Sequence, residues 1–112
     1  MSDNRAKIQK LAKILKNDPE DSFAKFALAL ELLKNNQVEK PLKLFESIYR
    51  HDPNYLGVYY HLGKLYQSLN RYEDALTCFR EGVVIAKNQN EQRTLSELKD
   101  ALNELDIEKN DD

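Results

Sequence analysis

Asn17-Asp18-Pro19-Glu20 returns as His51-Asp52-Pro53-Asn54, with the two prolines 34 positions apart. The apolar residues keep the same stride: Ile8, Leu42 and Leu76 fall in register, as do Leu11, Phe45 and Phe79, and Leu15, Tyr49 and Val83. Within each segment they stand three, four and seven apart, which lines side chains along one face of an α-helix. A period of this length is that of a two-helix unit, and such a unit cannot bury its apolar face unless a neighbour stacks against it. The chain is therefore expected to be all-α and repetitive.

The other helix of each unit keeps register too, since Leu28 matches Leu62, Ala29 matches Gly63 and Leu32 matches Tyr66. Asn35-Asn36-Gln37 and Leu69-Asn70-Arg71 interrupt the pattern with turn-forming residues, so each unit reads as a helical hairpin. Pro41 falls near a helix start, where a missing N–H costs little, and Pro19 and Pro53 are expected to open the helices that follow them. After Asn88-Gln89-Asn90, a last stripe of Leu95, Leu98, Ala101, Leu102 and Leu105 predicts a terminal helix, with Thr94 and Glu97 spaced as a capping box.

"YYHLGKLYQSLNRYEDALTCFREGV" resembles a tetratricopeptide repeat. Tyr59, Leu62, Gly63, Tyr66, Ala75, Phe79 and Gly82 meet that family's pattern. Ser22 to Pro53 is similar but degenerate: Lys25 stands where the aromatic belongs and Pro41 where Ala does. The chain is also similar to small bacterial proteins of this family. The resemblance implies a right-handed superhelical stack of antiparallel hairpins, about two and a half repeats long, closed by a capping helix. On this reading one domain spans 1–112: a leading half-repeat helix at 6–18, repeats at 19–52 and 53–87, the cap at 91–105 and an acidic tail at 106–112.

Chemistry-bearing residues are sparse. Cys78 is the sole cysteine in 112 residues, which excludes an internal disulfide and suits a reducing, cytoplasmic setting. His51, His61 and Cys78 lie on separate elements without local ligand spacing, so no metal is expected. Glu20-Asp21 and Glu73-Asp74 begin helices, where negative charge offsets the dipole, and no glycine-rich phosphate loop occurs. These patterns predict a non-enzyme without cofactors. A net charge of -2 gives no basic footprint for nucleic acid, and no apolar run approaches the length of a membrane span.

What remains is a binding surface. By resemblance to the family, the first helix of each hairpin lines a concave groove, through Phe23, Phe26, Leu30, Leu33 and Lys34 in one repeat and Gly57, Tyr60, Lys64, Gln67 and Ser68 in the next. The apolar first set and polar second set suit a protein partner, a helix or extended peptide with an apolar anchor and a polar or acidic end, with Lys64 setting its polarity. Chaperone adaptors of this family clamp a terminal carboxylate with Lys and Asn. The matching positions here hold Phe26, Leu30 and His61, which argues against that ligand. The same apolar groove equally suits a homo-oligomer, or could be covered by the capping helix. A basic first helix and an acidic last one leave head-to-tail association open as well. Docking of the first helix on lipid would require unpacking Ile8, Leu11, Ile14 and Leu15.

Overall fold

The computed structural model describes residues 3–110, and within them six helices and no strand: α1 (Arg5–Asn17), α2 (Ser22–Lys34), α3 (Glu39–His51), α4 (Gly57–Ser68), α5 (Tyr72–Asn88) and α6 (Gln92–Asn110). The all-α hairpin repeat read from the sequence is the fold of the chain. The helices gather into two compact units, the first ending at Tyr55 and the second beginning at Leu56.

In the first unit α2 packs against both α1 and α3. Leu11 of α1 meets Ala24, Leu28 and Leu32 of α2, with Ile8, Leu15, Ala27 and Leu44 packed around them. These are the residues that the three-four spacing puts on one side of each helix. Pro41 is buried in the first turn of α3, as its missing N–H permits.

In the second unit α5 packs against α4 and α6, which also touch each other. Gly63 of α4 lies under the Phe79 ring, and a Cβ there would overlap it. Gly82 of α5 plays the same part toward Tyr59 and Leu98, whose nearest atoms would stand 2.7 and 3.1 Å from an added Cβ. The small residues of the repeat pattern thus set how closely the helices approach.

Helix ends repeat as faithfully as helix faces. Asn36, Asn70 and Asn90 take φ of 63°, 61° and 58°, a left-handed conformation that asparagine tolerates better than other non-glycine residues. Just beyond each, the N–H of Gln37, Arg71 and Glu91 donates to the carbonyls of Leu32, Tyr66 and Ala86 at 3.1, 2.9 and 2.9 Å. Asn36, Asn70 and Asn90 themselves donate to Leu33, Gln67 and Lys87, completing the paired-bond helix stop. α1 and α3 end differently, with Asp18 and Asp52 donating to the carbonyls of Ile14 and Ile48.

Three local expectations need correction. Pro19 and Pro53 do not open helices: both sit in turns, and α2 begins at Ser22 with the Asp21 side chain accepting from Ala24 N–H at 2.9 Å. Thr94 is no cap, because α6 begins at Gln92 and carries Thr94 inside its first turn. The segment after Leu105, expected as a tail, continues α6 to Asn110, since no Gly or Pro interrupts it. Asp111 and Asp112 lie outside the described residues.

Candidate functional site

Helical spacing puts Phe23, Phe26, Leu30 and Leu33 along one side of α2, opposite the buried Ala24, Leu28 and Leu32. Phe23 is 67% exposed, a large value for an aromatic in the middle of a folded unit. Phe26, Leu30 and Leu33 are half-buried, the Phe26 ring leaning on Phe45 and Tyr55 at centroid distances of 5.9 and 5.4 Å. Lys34 closes the stripe with an exposed ammonium.

The remaining predicted residues stand on α4. Tyr60 is half-buried, edge-on to His61 at 5.4 Å and tilted over Phe79 at 6.4 Å. Lys64 is already engaged, donating from Nζ to Glu104 Oε2 of α6 at 3.3 Å. Gln67 is half-buried on the same helix. Burial pushes the His61 imidazolium toward its neutral form, with the Glu97 carboxylate pulling partly the other way. The capping helix therefore adds acidic groups beside Lys64 and His61 of α4.

Sequence reasoning did not anticipate two buried charges. Glu31, only 5% exposed, accepts from Asn4 Nδ2 at 3.1 Å and from Lys34 Nζ at 3.0 Å, and Lys7 Nζ stands 3.4 Å away. The Asn4 amide, then the Lys34 ammonium, hold its carboxyl down to about 2. Lys25, 4% exposed, donates to Ser47 Oγ at 2.9 Å and lies 3.5 Å from Glu20 Oε1. It stands where the repeat pattern has an aromatic, and the structure gives its ammonium partners there. The available signal was the 34-residue comparison, which sets Lys25 against Tyr59 and Glu31 against Leu65.

Among the described residues no three His, Cys, Asp or Glu side chains stand close enough together to hold a metal, and no helix is long and apolar enough to cross a membrane. Cys78 is buried on α5.

Tandem hairpins with aromatic and small residues at fixed positions define a class of helical repeat domain. Residues 4–82 match the family described as anaphase-promoting complex, cyclosome, subunit 3, a family of tetratricopeptide type, and the chain belongs to it. A tetratricopeptide repeat domain protein from Salinibacter ruber, known from a crystal structure, is 43% identical over 77% of this chain and 96% of its own, with a TM-score of 0.74. A solution structure of such a domain from the same organism gives 45% identity over 79% and 89% of the two chains, with a TM-score of 0.73. The TPR2B domain of yeast Sti1, in its pHsp70 complex, superposes with a TM-score of 0.82 over 90% of this chain and 81% of its own, and at 16% identity it shares the fold. No curated protein matches the sequence.

Proposed function

We propose that the chain is a non-catalytic protein-interaction module whose principal docking surface is the apolar side of α2. One observation carries this reading. Phe23, Phe26, Leu30 and Leu33 make α2 apolar on the side opposite its core, and Phe23 is left 67% exposed. A helix that is apolar all round is normally buried on all sides, so this stripe is suited to a protein surface. Phe23 and Leu30 act as anchors, and Lys34 marks the polar end.

Tyr60, Lys64 and Gln67 form the second unit's own candidate surface. Because Lys64 is paired with Glu104, an acidic ligand there has to displace a carboxylate of the chain itself. The fold shared with the Sti1 domain supports protein binding in general. Phe26 and Leu30, standing where the chaperone adaptors carry part of their clamp, support a ligand held on α2 by apolar contact.

The test is affinity capture with the full chain, comparing wild type with the Phe23→Ala, Leu30→Ala double variant and with Lys64→Ala. Capture lost in the α2 variant, at unchanged helicity, supports the reading. Capture indifferent to both α2 changes removes this surface as the site.

A further inference from the structure

The four apolar residues of the stripe have spacings of three, four and three, which read the same in both directions along α2. Residues at 23, 26, 30 and 33 are the alternating core positions of a coiled-coil seam, the pattern by which one helix packs against another. A spacing symmetric about the level of Leu28 lets the stripe pair with itself when a second α2 runs antiparallel. We propose that the occupant of this surface is the same side of α2 from a second copy of the chain, related by a two-fold axis that crosses the seam between Phe26 and Leu30, at the level of residue 28. This rests on the reading of α2 as a docking surface and names its partner.

In that arrangement Phe23 of one copy faces Leu33 of the other, and Phe26 faces Leu30, so each aromatic meets an aliphatic side chain and no like pair is forced together. The ends are complementary as well. Lys34, its side chain 66% exposed, comes to the first turn of the opposing helix, beside Asp21 and Glu20, whose own side chain is 65% exposed. Within the chain these charges contact Glu31 and Lys25, but their exposure leaves them accessible to a further partner. Antiparallel helices also oppose their dipoles favourably, whereas parallel pairing would set Lys34 against Lys34. Two-fold self-complementarity of this kind is what an isologous dimer requires. A seam of one short helix falls below the area of a standard stable interface, so the dimer is weak and forms at high concentration.

Sedimentation of the full chain from roughly 10 µM to 1 mM spans the affinities expected for so small an interface. A concentration-dependent dimer is expected, with Phe23→Glu raising its Kd about tenfold or more, as replacing an aromatic anchor by a charge does. The exposure of Phe23 makes that variant safe for the fold, which an unchanged thermal midpoint verifies. A nitroxide at the exposed Lys34→Cys reports direction: antiparallel pairing spreads the two labels by roughly 18 Å along the axis at 1.5 Å rise per residue, whereas parallel pairing sets them level. Labels that stand level along the axis overturn the antiparallel geometry.

A wild-type chain that stays monomeric at the highest concentration overturns the self-pairing. The docking reading is then judged separately, by titrating the isotope-labelled chain with an amphipathic peptide bearing leucines at coiled-coil core positions. Shifts confined to Phe23–Lys34 keep that reading, and their absence removes it. A dimer unaffected by Phe23→Glu also overturns the self-pairing, and the same titration then decides the docking reading.

Discussion

The two repeats invert each other's polarity. Where the second buries Tyr59 and Leu65, the first buries Lys25 and Glu31. Where the second presents Lys64 and Gln67, the first presents Leu30 and Leu33. The first repeat has thus moved charge inward and oil outward at matched positions, while the hairpin itself is kept. The Phe23 ring, left largely in water, contributes little to a lone fold, which suits the docking surface proposed on α2. Inward charges persist because each has found its own donors or acceptors: Asn4, Lys7 and Lys34 around Glu31, Ser47 and Glu20 around Lys25.

The shared hairpin is the first thing to break. Phe45 and Phe79 are both fully buried at matching positions, so Phe79→Ala should cost about 3–5 kcal/mol of stability and Phe45→Ala a similar amount. Denaturant unfolding followed by circular dichroism measures both, and a large inequality would mean that the repeats do not share a packing scheme.

A smaller effect separates the repeats at the close approach of their helices. Gly63→Ala puts a Cβ into the Phe79 ring and should cost about 1–3 kcal/mol. The first repeat already carries alanine at that register, fully buried as Ala29, and Ala29→Gly should cost nearer 1 kcal/mol through lost helix propensity. If Gly63→Ala were neutral, the tighter approach assigned to the second repeat would be wrong.

Acid should act on the two units at different pH. The His61 imidazole is held neutral in the folded state, so the unfolded chain binds the proton first and stability falls as pH drops through the ordinary histidine range near 6.5. Glu31 stays ionised down to about 2, against an ordinary 4.5, so its contribution is whole above 4.5 and is lost between those values. Thermal midpoints across the pH range should show two steps, with His61→Gln removing the upper and Glu31→Gln the lower. The smallest effect is expected at the exposed Lys64 and Glu104 pair, where Lys64→Ala should change stability by less than about 1 kcal/mol and high salt should erase the difference.

Much of this molecule is written in its periodicity. The stride that aligns Leu11, Phe45 and Phe79 fixes the helix faces, and Asn36, Asn70 and Asn90 fix the helix stops, because both depend on contacts within a few residues along the chain. The apolar side of α2 was singled out by the family resemblance, which assigns Phe23, Phe26, Leu30 and Leu33 to a groove-lining helix. Helix starts were less so: Pro19, Pro53 and Thr94 each fit a starting signal locally, and the backbone began its helix two to four residues from where they pointed.

Tertiary structure decided the fate of the charges. A lysine or glutamate is assigned to water by default, and only partners brought from a distance can reverse that. Ser47 reaches Lys25 across 22 residues and Asn4 reaches Glu31 across 27, separations that no local pattern encodes. The same holds for Lys64, whose pairing with Glu104 spans 40 residues and exists only because α6 folds back against α4. Short-range geometry is written into the order of residues, whereas the energy of a buried or paired charge depends on which distant atoms arrive beside it.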